Sequence, residues 1–161
     1  MNLPQIQNKV FTLENIQSTL AFWLFKDEKI VFTNGCFDLL HQGHIHSLTT
    51  AKSLGTKLIV GLNSDSSIKR LKGASRPIKS ENERALMLAA YSFVDAVIFF
   101  EEDTPLKLIE AVQPNILAKG GDYTIKNIVG ADFVLKNGGS VEVIPLVEGF
   151  STTSIINRMG K

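Results

Sequence analysis

Short apolar runs rich in β-branched residues recur along this chain with helix-patterned stretches between them. That alternation limits its fold more than any other feature of its 161 residues. The runs are Lys29 to Thr33 (KIVFT), Lys57 to Leu62 (KLIVGL), Asp95 to Phe100 (DAVIFF), Asn115 to Ala118 and Ser140 to Ile144. Apolar runs this short, bounded by turn residues, suit strands buried on both faces. The first is followed by a glycine turn and a helix from about Gly43 to Leu54, closed by Gly55. Ser80-Glu81-Asn82-Glu83 is a capping box opening a helix to about Ser92, and Thr104-Pro105 is a helix start. A further helix ends near Gly138-Gly139, and a last one starts at Ser151.

Strand–helix alternation of this kind predicts an α/β fold, a Rossmann-like open parallel five-stranded sheet with helices on both faces. Ahead of it, Leu13, Ile16, Leu20 and Trp23 at three-to-four-residue spacing predict a helix from Thr12 to about Phe25. Residues 1–28 therefore read as an N-terminal helical extension and residues 29–161 as the domain proper. Open parallel sheets bind ligands beyond the carboxyl ends of their strands, where the strand order reverses. Function is expected in the segments that follow strands.

The formal net charge of +1 leaves no excess of Lys and Arg to neutralise a nucleic-acid backbone, so anion recognition must be local. One cysteine, Cys36, excludes an internal disulfide framework and fits a reducing compartment. The N-terminus does not read as a signal peptide, and no apolar stretch approaches the ~20 residues that cross a bilayer. The expectation is a cytoplasmic protein without nucleic-acid or membrane partners.

All three histidines fall between positions 41 and 46, in the segment following the first strand. His41 and His44, three apart at a helix start, can face one side, whereas His46 projects away. A helix start also presents free amides and partial positive charge, a site for phosphate, and Gly43 lets a ligand approach the backbone. Two imidazoles there suit a reaction that builds negative charge on phosphate oxygens, because they can donate to it without covalent chemistry. Asp38 could orient an imidazole or help hold a metal ion. Three histidines and one aspartate at this spacing make a poor zinc site, so no protein metal centre is expected. Cys36 lacks an identifiable base partner and reads as a small buried residue.

Lys69 to Lys79 (KRLKGASRPIK) holds five basic residues and no acidic one, and Gly73 and Pro77 mark it as a loop. It is either a solvated basic patch or a phosphate-binding loop. Its place after the second strand favours the latter, with Lys69, Lys72 and Arg76 as candidates and Arg84 in reach from the next helix. Lys119-Gly120-Gly121-Asp122-Tyr123 follows the fourth strand, where Asp122 either completes a plain turn or accepts from a ribose or sugar hydroxyl. Ser151 or Thr152 can cap the last helix and bind a distal phosphate there.

The string GCFDLLHQGH resembles the motif of the HxGH nucleotidyltransferase superfamily. Beyond it, TNGCFDLLHQGH, LNSDSSIKRLKG with RPI, VDAVIFFEEDTP, KGGDY with IVGADFV, and GGSVEVIPL with GFSTTSII resemble the D-glycero-β-D-manno-heptose 1-phosphate adenylyltransferases, the ADP-heptose synthases. The resemblance runs from Val31 to Ile156. It implies transfer of AMP from ATP to the heptose 1-phosphate, with Mg²⁺ accompanying ATP, and a role in lipopolysaccharide core synthesis. It implies that His41 and His44 stabilise the transition state with Lys72 beside them, and that Asn34, Gly35 and Phe37 lie along the nucleotide. Ser151 and Thr152 would bind its distal phosphates. In many relatives this unit is fused to a sugar kinase; here the kinase would be a separate polypeptide. A homodimer is an expectation that the resemblance alone carries. Glycerol-3-phosphate cytidylyltransferases are the nearest rival, but they read Arg-Thr before the Glu-Gly that precedes Ser-Thr-Thr, where this chain has Leu146-Val147. A nucleotide-binding module without catalysis is the alternative of another class, and the intact histidine pair argues against it.

Overall fold

The computed structural model describes residues 1–121 and 123–145. Six strands form one parallel sheet: β1 (Val10–Phe11), β2 (Ile30–Gly35), β3 (Lys57–Asn63), β4 (Ala96–Phe100), β5 (Ile116–Gly120) and β6 (Ser140–Ile144). Their spatial order is β1-β4-β3-β2-β5-β6. The chain steps outward from β2 to β3 to β4, then crosses back to lay β5 on the other side of β2. The strand order therefore reverses between β2 and β5, the place where such sheets take ligands.

Alternation within the apolar runs divides two cores. Val31, Leu58, Val60 and Leu62 pack with Leu48 and Ala51 of α3 (Gln42–Ser53) and with Ala85, Leu88 and Ala89 of α5 (Glu81–Ala89). Phe32, Ile59 and Ile98 point the other way. They meet Leu20 and Trp23 of α2 (Gln17–Phe25), Leu108 and Ile109 of α6 (Leu106–Val112), and Val134 of α7 (Ala131–Lys136). Helices thus cover both faces, as the sequence predicts. Phe32 needs a glycine beneath it: a Cβ on Gly61 would stand 2.7 Å from the Phe32 ring. Gly61→Ala is expected to destabilise the domain by ~1–3 kcal/mol through overpacking, read as a lower urea midpoint at unchanged slope.

Three features differ from the sequence reading. The sheet has a sixth strand, because Val10 and Phe11 add an edge to β4. A two-residue strand carries no alternation to detect, and its pairing is entirely non-local. The segment 1–28 also contains α1 (Leu3–Gln7), and its helix α2 begins at Gln17 rather than Thr12. Ile16, Leu20 and Trp23 of this segment belong to the same buried cluster as the sheet residues. Finally, Lys69 to Lys72 are not loop but the end of α4 (Asp65–Lys72). Its N-cap Ser64 accepts from the amide of Ser67, and Asp65 in the first turn and the lysines in the last complement the helix dipole. With only Ile68 and Leu71 apolar, that helix shows no periodic stripe in sequence. The last helix expected from Ser151 lies outside the described residues.

Candidate active site

Beyond Gly35 the chain turns through Cys36–Leu40 before α3 starts, with His41 in the N-cap position. Phe37 makes the turn in the left-handed region (φ 45°), an uncommon conformation for a bulky residue that marks a constrained site. Its ring lies against Gly35, where a Cβ would come within 3.1 Å, and against His44 at 5.3 Å between centroids. The His41 side chain makes no capping bond, so the first amides of α3 stay open to an anion.

The two imidazoles stack, with centroids 3.9 Å apart and planes 29° from parallel. Both Nδ1 atoms are buried without a hydrogen-bond partner among the described residues. Burial lowers the His41 pKa below its usual value. His44 is pushed down to about 4 by burial first, then by His41 and Lys72. At neutral pH the pair is uncharged, each ring keeping one N–H to donate. His46 is exposed, on the outer side of the helix.

Because the native His44 resists protonation until about pH 4, the unfolded chain takes up a proton first as pH falls below ~6.5. Stability is therefore lost between those values. Thermal melts from pH 7 to pH 5 are expected to show a smaller decline for His44→Gln than for the unaltered chain. Parallel declines would refute the buried, neutral assignment.

Asp38 is placed under the basic loop rather than beside an imidazole. Its buried carboxylate accepts from Arg76 Nε at 2.7 Å and from the amides of Ile78 and Lys79 at 2.8 and 3.0 Å. Burial would raise its pKa, but the Lys79 amide, Arg76 and the Ile78 amide hold it below the usual carboxylate value. Asp38 thus fixes the path of residues 76–79 and leaves Arg76 Nη2 buried beside the turn, without a partner among the described residues.

Arg84 departs most from expectation. It is fully buried, and donates from Nε to the Lys79 carbonyl, from Nη1 to the carbonyls of Cys36 and Asn63, and from Nη2 to Asp65 Oδ1. Those bonds tie together the ends of β2 and β3, the start of α4 and the basic loop. The sequence suggests a phosphate ligand; the structure makes Arg84 the strut behind the site. Capping-box residues place its helix correctly, but no sequence pattern reveals that its head turns inward.

Asn34, Gly35 and Lys72 line a cleft of about 380 Å³ above the ends of β2 and β5, together with Asn63, Lys119 and Tyr123. Lys69 and Lys72 are exposed on α4. Lys72 acts on His44 electrostatically. Gly43 sits in the first turn of α3. Asp122, Ser151 and Thr152 lie outside the described residues. Asn63, Lys119 and Tyr123 are cleft residues that the sequence does not single out; for Lys119 the available signal is a lysine near the end of an otherwise apolar strand run.

A strand order reversing beside an uncapped helix start, two neutral imidazoles and flanking lysines defines a site for transfer chemistry on phosphate groups. Residues 32–158 match the family described as cytidylyltransferase-like, and the chain belongs to this family of nucleotidyltransferases. It is 61% identical over 158 residues to the bifunctional protein HldE of Campylobacter jejuni subsp. jejuni, covering 98% of this chain and 33% of that protein. It is 52% identical over 157 residues to the bifunctional protein HldE of Koribacter versatilis, covering 98% and 32%. The chain therefore spans about a third of the length of these curated relatives. Among solved structures, the lipopolysaccharide core biosynthesis protein of Thermoplasma volcanium superposes with a TM-score of 0.60 at 30% identity, covering 74% of this chain and 97% of that one. Pantothenate synthetase of Thermus thermophilus gives 0.63 at 16% identity over 91% and 67%, a likeness of fold alone. No helix among the described residues is long and apolar enough to cross a membrane.

Proposed function

We propose that the chain transfers AMP from ATP to D-glycero-β-D-manno-heptose 1-phosphate, releasing pyrophosphate and forming ADP-heptose for lipopolysaccharide core synthesis. The observation that carries the reaction type is the stacked, neutral His41–His44 pair at an uncapped helix start. The identity to bifunctional proteins HldE and the likeness to a lipopolysaccharide core biosynthesis protein support the sugar substrate.

The sugar phosphate oxygen attacks the α-phosphorus of ATP in line, and pyrophosphate leaves opposite. Charge grows on the equatorial oxygens and on the leaving group, where imidazole N–H groups and the first amides of α3 can donate. Lys72 adds positive charge beside His44, and Arg76, held by Asp38, keeps Nη2 for a phosphate oxygen. Among the described residues no three His, Cys, Asp or Glu side chains gather as a cage. Mg²⁺ would enter as a companion of ATP and would neutralise charge on its phosphates. Ser151 and Thr152 complete the reading at the distal phosphates, and Asp122 at a sugar hydroxyl. A cytoplasmic location belongs to the same proposal, as does a homodimer.

Product analysis tests it. Incubation with ATP, Mg²⁺ and the heptose 1-phosphate should yield ADP-heptose by mass spectrometry, whereas free heptose should yield nothing. Phosphorylation of free heptose, or ATP left intact beside its acceptor, would contradict it.

A further inference from the structure

Lys119 is the penultimate residue of β5, on the opposite side of β2 from Lys72, which reaches the same cleft from the end of α4. Its ammonium is half-buried, donates to Asn34 Oδ1 at 3.3 Å and stands 5.6 Å over the Tyr123 ring. The Gly120-Gly121 turn builds that arrangement: Gly121 takes φ 131°, and a Cβ there would lie 2.7 Å from the Tyr123 ring. Gly120 is also confined, its absent Cβ only 3.2 Å from Ser47 Oγ of α3. The paired glycines thus bring β5 against the catalytic helix and fold an aromatic ring over the lysine.

A long cation held in a partly dry place costs free energy unless an anion meets it. Burial pushes the Lys119 ammonium below the ordinary lysine value, and among the described residues Cys36 counters it. The cleft it serves has a mixed lining: Leu71, Pro105, Ile128 and Val129 form apolar wall, while Asn127, Thr104 and Tyr123 add amide and hydroxyl groups that can meet the hydroxyls of a sugar. Neither His41 nor His44 lines that cleft, so it lies beside the histidine pair. In-line displacement needs the acceptor on the side of the phosphorus away from pyrophosphate, and a second cation apart from the helix start supplies such a place.

Resting on the adenylyltransferase reading, the geometry points to Lys119 as the ligand for the phosphate of the acceptor, and to the cleft beneath Tyr123 as the pocket for a phosphorylated polyol. Lys119 then sets where the attacking oxygen stands and excludes acceptors without a phosphate.

Equilibrium binding separates this assignment from the reaction itself. Titration calorimetry with D-glycero-β-D-manno-heptose 1-phosphate, and separately with ATP and Mg²⁺, should be run on the unaltered chain, Lys119→Met and Lys119→Arg. The expected result is a loss of at least tenfold in sugar phosphate affinity for Lys119→Met, partial recovery in Lys119→Arg, and unchanged ATP affinity. KM for the sugar phosphate should rise accordingly, with kcat changed less. Melting temperature should hold or rise in Lys119→Met, since a desolvated cation is removed; a lysine needed only for structure would lower it. Equal sugar phosphate affinity in all three proteins would overturn the assignment while turnover by the unaltered chain leaves the adenylyltransferase reading intact. A loss confined to ATP would also overturn it, moving Lys119 to the nucleotide. An unaltered chain that binds no sugar phosphate and makes no ADP-heptose would end both readings.

Discussion

His44→Ala is expected to lower kcat by roughly 10²–10³, the loss that follows removal of one preorganised donor to a developing oxyanion. ATP affinity should change little, because the ring meets its charge mainly in the transition state and a contact of that kind acts on kcat. The ring is held for the task from two sides, stacked on His41 at 3.9 Å and tilted against Phe37 at 5.3 Å. Its depressed pKa keeps it neutral in the empty site. Bound triphosphate would favour protonation, so the ring can strengthen its hydrogen bond as charge accumulates. Steady-state kinetics together with ATP titration check the split. An unchanged kcat would remove His44 from the chemistry, and a loss of ATP affinity matching the loss of rate would make it a ground-state ligand instead.

The second large effect is on stability. Arg84→Met should destabilise the domain by about 3–5 kcal/mol, because removing one member of a buried charged network leaves its partners unpaired. The carbonyls of Cys36 and Asn63 and the Asp65 carboxylate lose their guanidinium donor together. For a chain of this length that corresponds to a fall in melting temperature of roughly 6–20 °C. Arg84→Lys should recover little, since a single ammonium cannot meet acceptors spread around a planar fork. Differential scanning calorimetry decides the matter. A melting temperature within a degree of the unaltered chain would return Arg84 to the role of phosphate ligand.

What could be read in the sequence follows physical range. Strands β2 to β6 are short apolar runs bounded by turn residues, and their periodicity is local, so they were legible. The Ser80–Glu83 capping box is likewise written in consecutive residues. So is the Thr104-Pro105 start, which the structure shifts by one residue so that Pro105 is the N-cap. The Asn2–Gln5 box of the short α1 carries no apolar run behind it to announce a helix. The edge strand Val10–Phe11 was not, because its pairing with Val97 and Ile98 spans most of the chain. Helix α4 was hidden by a basic run that reads as loop when only charge is considered. At the site, the histidine pair was legible from spacing and from its place after a strand. The inward turn of Arg84 and the grip of Asp38 on residues 76–79 were not, since both depend on which buried acceptors the fold brings near. Lys119 shows the same limit from the other side: the sequence places a lysine at a strand end, but only the fold sets it across the cleft from Lys72.

Pyrophosphate release with Mg²⁺, crossing ATP and CTP with the heptose 1-phosphate and glycerol 3-phosphate, tests the central claim most directly. Release is predicted only where ATP meets the heptose phosphate. Release with CTP and glycerol 3-phosphate would contradict the assigned substrates, and silence in all four combinations would contradict the heptose adenylyltransferase assignment as a whole.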